Sequence, residues 1–425
     1  MLLFTGKGGA GTTTLAAATA AHTARRGRKT LVLSVDRAHS LADTLGVPLD
    51  AEPAEVSIGL YAARVDIRRR LERAWPPLRG LLAELAPLDG ELSVSADALA
   101  MLPAVEQVLA LLQVRDHAAS GLWDTVVLDC APVVDTLRLL ALPTTLPWYL
   151  GRLLPAHRPG RSSRSLPARL AAVTADTLFD AVGNLRAELA EVDSLLHSPD
   201  TSVRLVLTPR AAAVSQARRT FTALALHGYP LDQILVNRVL VNRDVPGSAD
   251  PWYRSWTQSQ RRQLTRIRES FVGVPLRLVP FGPDEPTGMA ALLDLADQAY
   301  GSDDPLRPAD PADRPAHLAE SMRVERVAGG FEWVFWLPLA ERGQVDLARV
   351  DDDLVISLGA HGRVIPLPAV LRRCVTDGAR LADGWLRVRF RPDPARWPAA
   401  LLSAADRGAD SNTVGGTGTG GVGEQ

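Results

Sequence analysis

The chain begins with an apolar run, a glycine-rich loop and a threonine-rich start to a helix, LLFTGKGGAGTTT (residues 2–14). This order leaves little freedom. The strand ends at Gly6, glycines let the backbone approach a ligand closely, and the unpaired N–H groups of the next helix point back at the loop. The unit is an anion cradle with the spacing G-x-x-x-x-G-K-[ST], which fits from Gly6 to Thr13 at every point but one. Thr12 stands where the lysine belongs. Gly6, Lys7, Gly8, Gly9, Ala10, Gly11, Thr12 and Thr13 are the candidate phosphate-contacting residues, with the Thr13 hydroxyl placed for Mg2+. The simpler alternative is a glycine-rich turn without a ligand.

The rest of residues 1–301 continues the strand–helix alternation. TLVLSVD, DTVVLDCAP, VRLVLTP, DQILVNRV and PLRLVPF read as buried strands. Helical spacing marks PAVEQVLALLQVRDHAA and DTLFDAVGNLRAELAEVDSLLHS, while the alanine-rich TTLAAATAAHTARR and the closing GMAALLDLADQAY also read as helices. Continuous apolar strands between helices predict an α/β fold, a mostly parallel sheet flanked by helices. Residues 155–167, PAHRPGRSSRSLP, read as a basic surface loop, and residues 302–321 as a Pro/Asp-rich linker. From 322 to 398 the period changes to two, as in GWLRVRF, where Leu386, Val388 and Phe390 alternate with Arg387, Arg389 and Arg391. A small antiparallel β-sandwich is expected there, followed by a Gly-rich tail, 399–425, too poor in apolar residues to fold.

Composition limits the function. An apolar share of 46%, a charged share of 22% and a net charge of −1 describe a globular protein with no general pull towards nucleic acid or anionic membranes. No run of about 18 apolar residues occurs and no signal peptide is recognisable, so neither membrane insertion nor export is expected. Cys130 and Cys374, the two cysteines, are too few for a disulfide framework or a cysteine-rich metal centre in one chain. A cytoplasmic location is expected.

Four stretches together resemble one family. GKGGAGTT is similar to the deviant phosphate-binding loop K-G-G-x-G-K-[ST] of dimeric ATPases, in which the early lysine, here Lys7, reaches a partner's nucleotide. SVDRAHSLADTLG resembles the first switch of the arsenical pump-driving ATPases and tail-anchored-protein targeting factors. Asp36, Ala38, His39, Ser40, Leu41 and Asp43 match, and Arg37 replaces proline. VVLDCAPVVDTLRLLALP resembles the second switch, with Asp129, Ala131, Pro132 and Thr136 matching. ILVNRVL and PFGPDEPTGMAAL resemble the family's adenine-side stretches. The resemblance implies a P-loop ATPase using ATP or ADP with Mg2+. Asp36 and Lys7 would be catalytic. Thr13, Asp36 and Asp129 would serve the metal, Asp129 through water. Asn237, Pro280 and Phe281 would lie beside the base. It also implies a homodimer, or a heterodimer with a related ATPase, acting on a protein client. Asp129 ends an apolar strand, where an unpaired carboxylate is costly, which independently favours a metal-bound water beside it. His39 could equally cap or pack.

The β-rich segment, from Val345 to Ile356 and from Ile365 to Phe390, resembles the small heat-shock-protein-like domain appended to some bacterial members. Departures bear on activity. Thr12 removes a cation that stabilises transferring phosphate, and PVVD stands where the second switch has P-T-G-H. Weakened hydrolysis is therefore expected. A non-catalytic adaptor is one alternative and an arsenite-pump motor another, the latter opposed by the cysteine count, since trivalent arsenic is held by several thiolates. Four methionines and no C-x-x-C pair give no sign of a Met-rich client groove or a zinc clasp.

Overall fold

The computed structural model describes residues 1–36, 40–66, 103–130, 132–153, 182–240, 251–306, 321–359 and 361–397. The expected basic loop, the Gly-rich tail, most of the linker, the start of the helical stretch at 176–198, and Arg37, Ala38, His39 and Ala131 lie outside these residues. The chain divides into two compact units, 1–315 and 316–425.

The first unit is built on an eight-stranded sheet in the order β3-β4-β2-β5-β1-β6-β7-β8. The strands are β1 (Leu2–Gly6), β2 (Thr30–Ser34), β3 (Ala54–Ser57), β4 (Leu60–Arg64), β5 (Thr125–Asp129), β6 (Ser202–Leu207), β7 (Leu231–Val239) and β8 (Leu276–Pro280). Every pairing is parallel except that of the edge strand β3 with β4. The helices are α1 (Thr12–Arg25), α2 (Ser40–Leu45), α3 (Pro103–Ala119), α4 (Val133–Leu153), α5 (182–196), α6 (Ala211–His227), α7 (Pro251–Ser270) and α8 (Gly288–Tyr300). The expected mostly parallel sheet flanked by helices is present. Strands β3 and β4, and helices α2, α4 and α7, carry no signal strong enough to have been read in advance.

Helix α1 is buried on all sides from Leu15 to Ala24, and its alanines explain how. Small side chains let it lie close to the sheet, α2 and α8 at once. Its hydroxyls are satisfied internally: Thr19 donates to the Leu15 carbonyl and shares a 2.7 Å hydrogen bond with the Tyr300 hydroxyl. Helix α4, by contrast, contains Pro143 and Pro147. Proline lacks the N–H that would bond the previous turn. Nearby carbonyls are met otherwise: Thr145 donates to Ala141, the Tyr229 hydroxyl to Leu140, and Arg186 to Pro147. No helix among the described residues is long and apolar enough to cross a membrane.

Arg204, 2% exposed, crosses under the sheet. Its guanidinium meets Asp232 at 3.2 Å, donates to the Tyr300 hydroxyl and the Pro305 carbonyl, and lies over the Phe4 ring. Arg28 pairs with Asp304 at 2.7 Å, so residues just beyond α8 are tied back to the sheet and α1.

The second unit holds two antiparallel sheets, β14-β15-β10-β9 and β11-β12-β13. Its strands are β9 (Met322–Val327), β10 (Gly330–Trp336), β11 (Val345–Val350), β12 (Asp353–Leu358), β13 (His361–Pro366), β14 (Cys374–Ala382) and β15 (Trp385–Pro392). Trp333, Phe335, Leu386, Val388 and Phe390 from one sheet and Leu354, Ile356 and Ile365 from the other make its core. The alternation read in β15 holds. Arg387 on its other face pairs with Glu325 at 2.9 Å and Glu332 at 3.2 Å.

Replacing Asp232 with alanine leaves the Arg204 guanidinium buried without its carboxylate. The expected loss is about 3 kcal/mol, the scale for breaking a buried pair from one side. Denaturant unfolding of the purified protein measures it.

Candidate nucleotide-binding site

The C-terminal ends of β1, β2, β5, β6 and β7 meet at one edge, where open parallel sheets place ligands. From β1 the chain enters the loop at Gly6. A side chain on Gly6 would meet the Val206 carbonyl oxygen at 2.4 Å and the Thr12 hydroxyl at 2.7 Å, so only glycine fits. Thr12 therefore lies folded back against the strand end. Gly11 has φ +88°, and a Cβ there would stand 2.3 Å from the Asn237 amide nitrogen. The loop closes with the Ala10 N–H donating to the Lys7 carbonyl at 2.9 Å. Lys7, Gly8 and Gly9 are exposed and Ala10 is buried.

Asn237, buried at the end of β7, holds this loop. Its amide donates to the Ala10 carbonyl at 2.8 Å, and its carbonyl oxygen accepts the Arg238 N–H at 2.8 Å. Asn237, which the sequence offers as a base contact or a turn residue, thus lies beside the glycine loop.

Behind the loop, hydroxyls and carboxylates form a chain. Thr13 Oγ1 lies 3.2 Å from Ser40 Oγ, and Ser40 donates to Asp36 Oδ2 at 3.4 Å. The Asp36 N–H reaches Ser34 Oγ at 3.2 Å, and Ser34 donates to Asp129 Oδ2 at 3.0 Å. Asp129 is 0% exposed, and its Oδ1 has no hydrogen-bond partner. Burial pushes its pKa up to about 7, opposed by the hydroxyls of Ser34 and Thr13 and assisted by the charge of Asp36. Among the described residues no cluster of three acidic, histidine or cysteine side chains could cage a metal. Mg2+ does not need one: it keeps several waters and takes one or two protein ligands plus phosphate. Thr13, Asp36 and the unpaired Asp129 oxygen are a donor set of that kind.

On the other side of the loop lies a cavity of about 940 Å3. Lys7, Arg210, Arg238, Trp252, Trp256 and Phe281 contribute to its wall. Pro280 ends β8, and the Phe281 N–H bonds the Val239 carbonyl at 2.9 Å, fixing the exposed Phe281 ring at the rim. The fold thus gathers Gly6 to Thr13, Asp36, Asp129, Asn237, Pro280 and Phe281 at one edge. Sequence reasoning missed Ser34 as a carboxylate partner, and missed Arg210, Trp252 and Trp256. The two tryptophans stand four apart in WYRSW, a helical spacing that could have drawn notice.

Residues 1–301 match the family model described as anion-transporting ATPase, and residues 328–390 match one described as an HSP20-like domain found in ArsA. The chain belongs to the anion-transporting ATPase family. An uncharacterized protein of Streptomyces coelicolor is 38% identical over 93% of this chain and 98% of its own length. A putative arsenical pump-driving ATPase of Chlorobaculum tepidum is 30% identical over 92% of this chain and 95% of its own. The ATPase get3 of Schizosaccharomyces pombe is 27% identical over 69% of this chain and 88% of its own. The resemblance read from the motifs is thereby shown for both units, and this is a family of nucleotide-binding ATPases.

Two outcomes follow from this geometry. Asp129 has a raised folded-state pKa, so ionising it costs stability. That cost is absent only well below pH 4, where the carboxyl is protonated folded and unfolded, grows from about pH 4 to about pH 7, and is constant above. Asp129→Asn should therefore raise the melting temperature of the metal-free protein at pH 8, and the gain should shrink steadily as the pH falls from about 7 towards 4. Asn237→Ala should weaken binding of inorganic tripolyphosphate as well as of ATP, because it releases the loop. A residue serving only the base would leave tripolyphosphate affinity, read by calorimetry, unchanged.

Proposed function

We propose that this chain binds ATP or ADP with Mg2+ at the glycine loop, hydrolyses ATP weakly or not at all, and works as a dimeric switch for a protein client or partner. The observation that carries the reading is the fully buried Asp129 oxygen without a partner, set behind a loop that admits only glycine at Gly6. A fold keeps such an unsatisfied carboxylate when something else completes it.

In this reading the N–H groups of the loop and of the first turn of α1 hold the β- and γ-phosphates. Thr13 orients its hydroxyl through Ser40, and Asp36, tied to the same serine, positions an attacking water. Mg2+, when bound, neutralises charge developing on the transferring phosphoryl group. Lys7 is exposed and could reach a second copy or a related subunit. It is one of two lysines, Lys7 and Lys29, in a chain that otherwise uses arginine wherever a Lys or Arg stands. A lysine there supports a task that the broader guanidinium would not perform.

Thr12 supplies no cation, and its side chain lies against Gly6. A missing donor to a developing charge commonly lowers turnover by about 10²–10³. Pump function by arsenite capture has little support: Cys130 and Cys374 are both buried and belong to different units.

Thr12→Lys should raise ATP turnover by roughly 100-fold, and adding Asp36→Asn to it should remove that gain. Phosphate release at saturating MgATP measures both. Vigorous turnover by the unaltered protein would refute weakened hydrolysis, and no binding of nucleotide at millimolar concentration would refute the site.

A further inference from the structure

Two tryptophans in the cavity beside the glycine loop are unaccounted for by any motif above. We propose that Trp256, backed by Arg210, is the surface on which the nucleotide's base stacks, and that base recognition rests on stacking area more than on reading the base edge. This rests on the reading that phosphates occupy the loop.

Tryptophan is normally well buried, yet Trp252 is 63% and Trp256 40% exposed. They stand one helical turn apart on α7, with ring centroids 5.2 Å apart and planes tilted by 39°. The core-facing residues of α7 are Thr257, Gln260, Leu264 and Ile267, so packing against the sheet does not require either ring. Both instead border the cavity that begins at Lys7, Gly8 and Gly9. The Arg210 guanidinium sits 5.3 Å from the Trp256 ring centre, which fixes that ring and adds a planar cation beside it. Phe281, 58% exposed, borders the same space.

Charge agrees with this assignment. Among the described residues, Lys7, Arg210 and Arg238 line the cavity and no acidic residue does. Flat apolar rings among cations, continuous with a phosphate cradle, fit a nucleoside phosphate. A protein-docking patch would need the rings but not three cations in a concave wall.

The carboxamides offer little edge reading. Asn237 has a donor and an acceptor committed to Ala10 and Arg238, and Gln260 bonds both the N–H and the carbonyl of Leu240. Purines should therefore bind better than pyrimidines, with adenine and guanine separated by less than about tenfold, because stacking is tolerant of base identity.

The test is calorimetric titration of the full chain with MgADP, MgGDP and inorganic tripolyphosphate, alongside intrinsic fluorescence. Trp256→Ala should raise the Kd for ADP and GDP at least about fivefold, the weaker end of one stacked base, and leave that for tripolyphosphate unchanged. Trp256→Phe should keep most of the affinity while losing most of the fluorescence quench that ADP produces in the unaltered protein. This second variant keeps the test decisive if the alanine form does not fold. Equal ADP affinity in the unaltered and alanine proteins, an equal loss for tripolyphosphate, an undiminished quench in Trp256→Phe, or a preference above a hundredfold between ADP and GDP would each overturn the proposal. Tripolyphosphate bound without ADP would overturn this assignment alone. Failure of both ligands to bind would overturn the phosphate-site reading and this one with it.

Discussion

A carboxylate removed from water must be protonated, hydrogen-bonded or matched by a cation, and Asp129 shows the first two demands acting on one group. It ends β5, near the middle of the sheet, and sheet register decides what it meets. Ser34 of β2 lies directly opposite it, as does Phe4 of β1 on the other side. Ser34 supplies one hydrogen bond, α1 brings Thr13 close, and the turn after β2 brings Asp36 and its charge. A slip of one residue in β2 would turn the serine to the opposite face and leave the carboxylate without that partner. The sheet order, the buried alanine helix and the serine positions thus converge on a single oxygen pair, of which one atom is still unsatisfied.

In the function proposed above, that arrangement separates holding a nucleotide from cleaving it. The features that hold it are backbone features: Gly6 under the Val206 carbonyl, Gly11 with a left-handed φ, and Ala10 pinned by Asn237. They survive changes in side chains nearby. Cleavage depends on side-chain charge, and there the chain departs, with Thr12 lying over Gly6 in place of an extended cation. Val133 and Val134 open α4 where the family's second switch carries polar residues and a glycine. Val133 is buried, so this end of α4 is fixed by packing.

Much of the fold was legible because its signals are local and redundant. Apolar runs ending in polar residues located six strands, alanine richness marked α1, and period two identified β15. Less was legible where long-range contacts replace local preference. The prolines of α4 argue against a helix in sequence, yet Thr145, Tyr229 and Arg186 bond carbonyls around them. Helix α7 is hydrophilic, with few apolar residues to betray its buried stripe. Ser34 read as the polar end of a strand, since nothing in LVLSVD says which carboxylate stands opposite it.

The sequence by itself determined the class of site, because phosphate binding by backbone N–H groups needs a strand, a glycine loop and a helix in uninterrupted order. It also determined that Thr12 brings no charge, since charge belongs to the residue type. Only the tertiary structure decided that Asn237 braces the loop, that one Asp129 oxygen has a partner and the other none, and that Trp252 and Trp256 face the cavity beside Lys7. Those facts join residues 95 or more positions apart, through strand register and helix packing that no local stretch encodes.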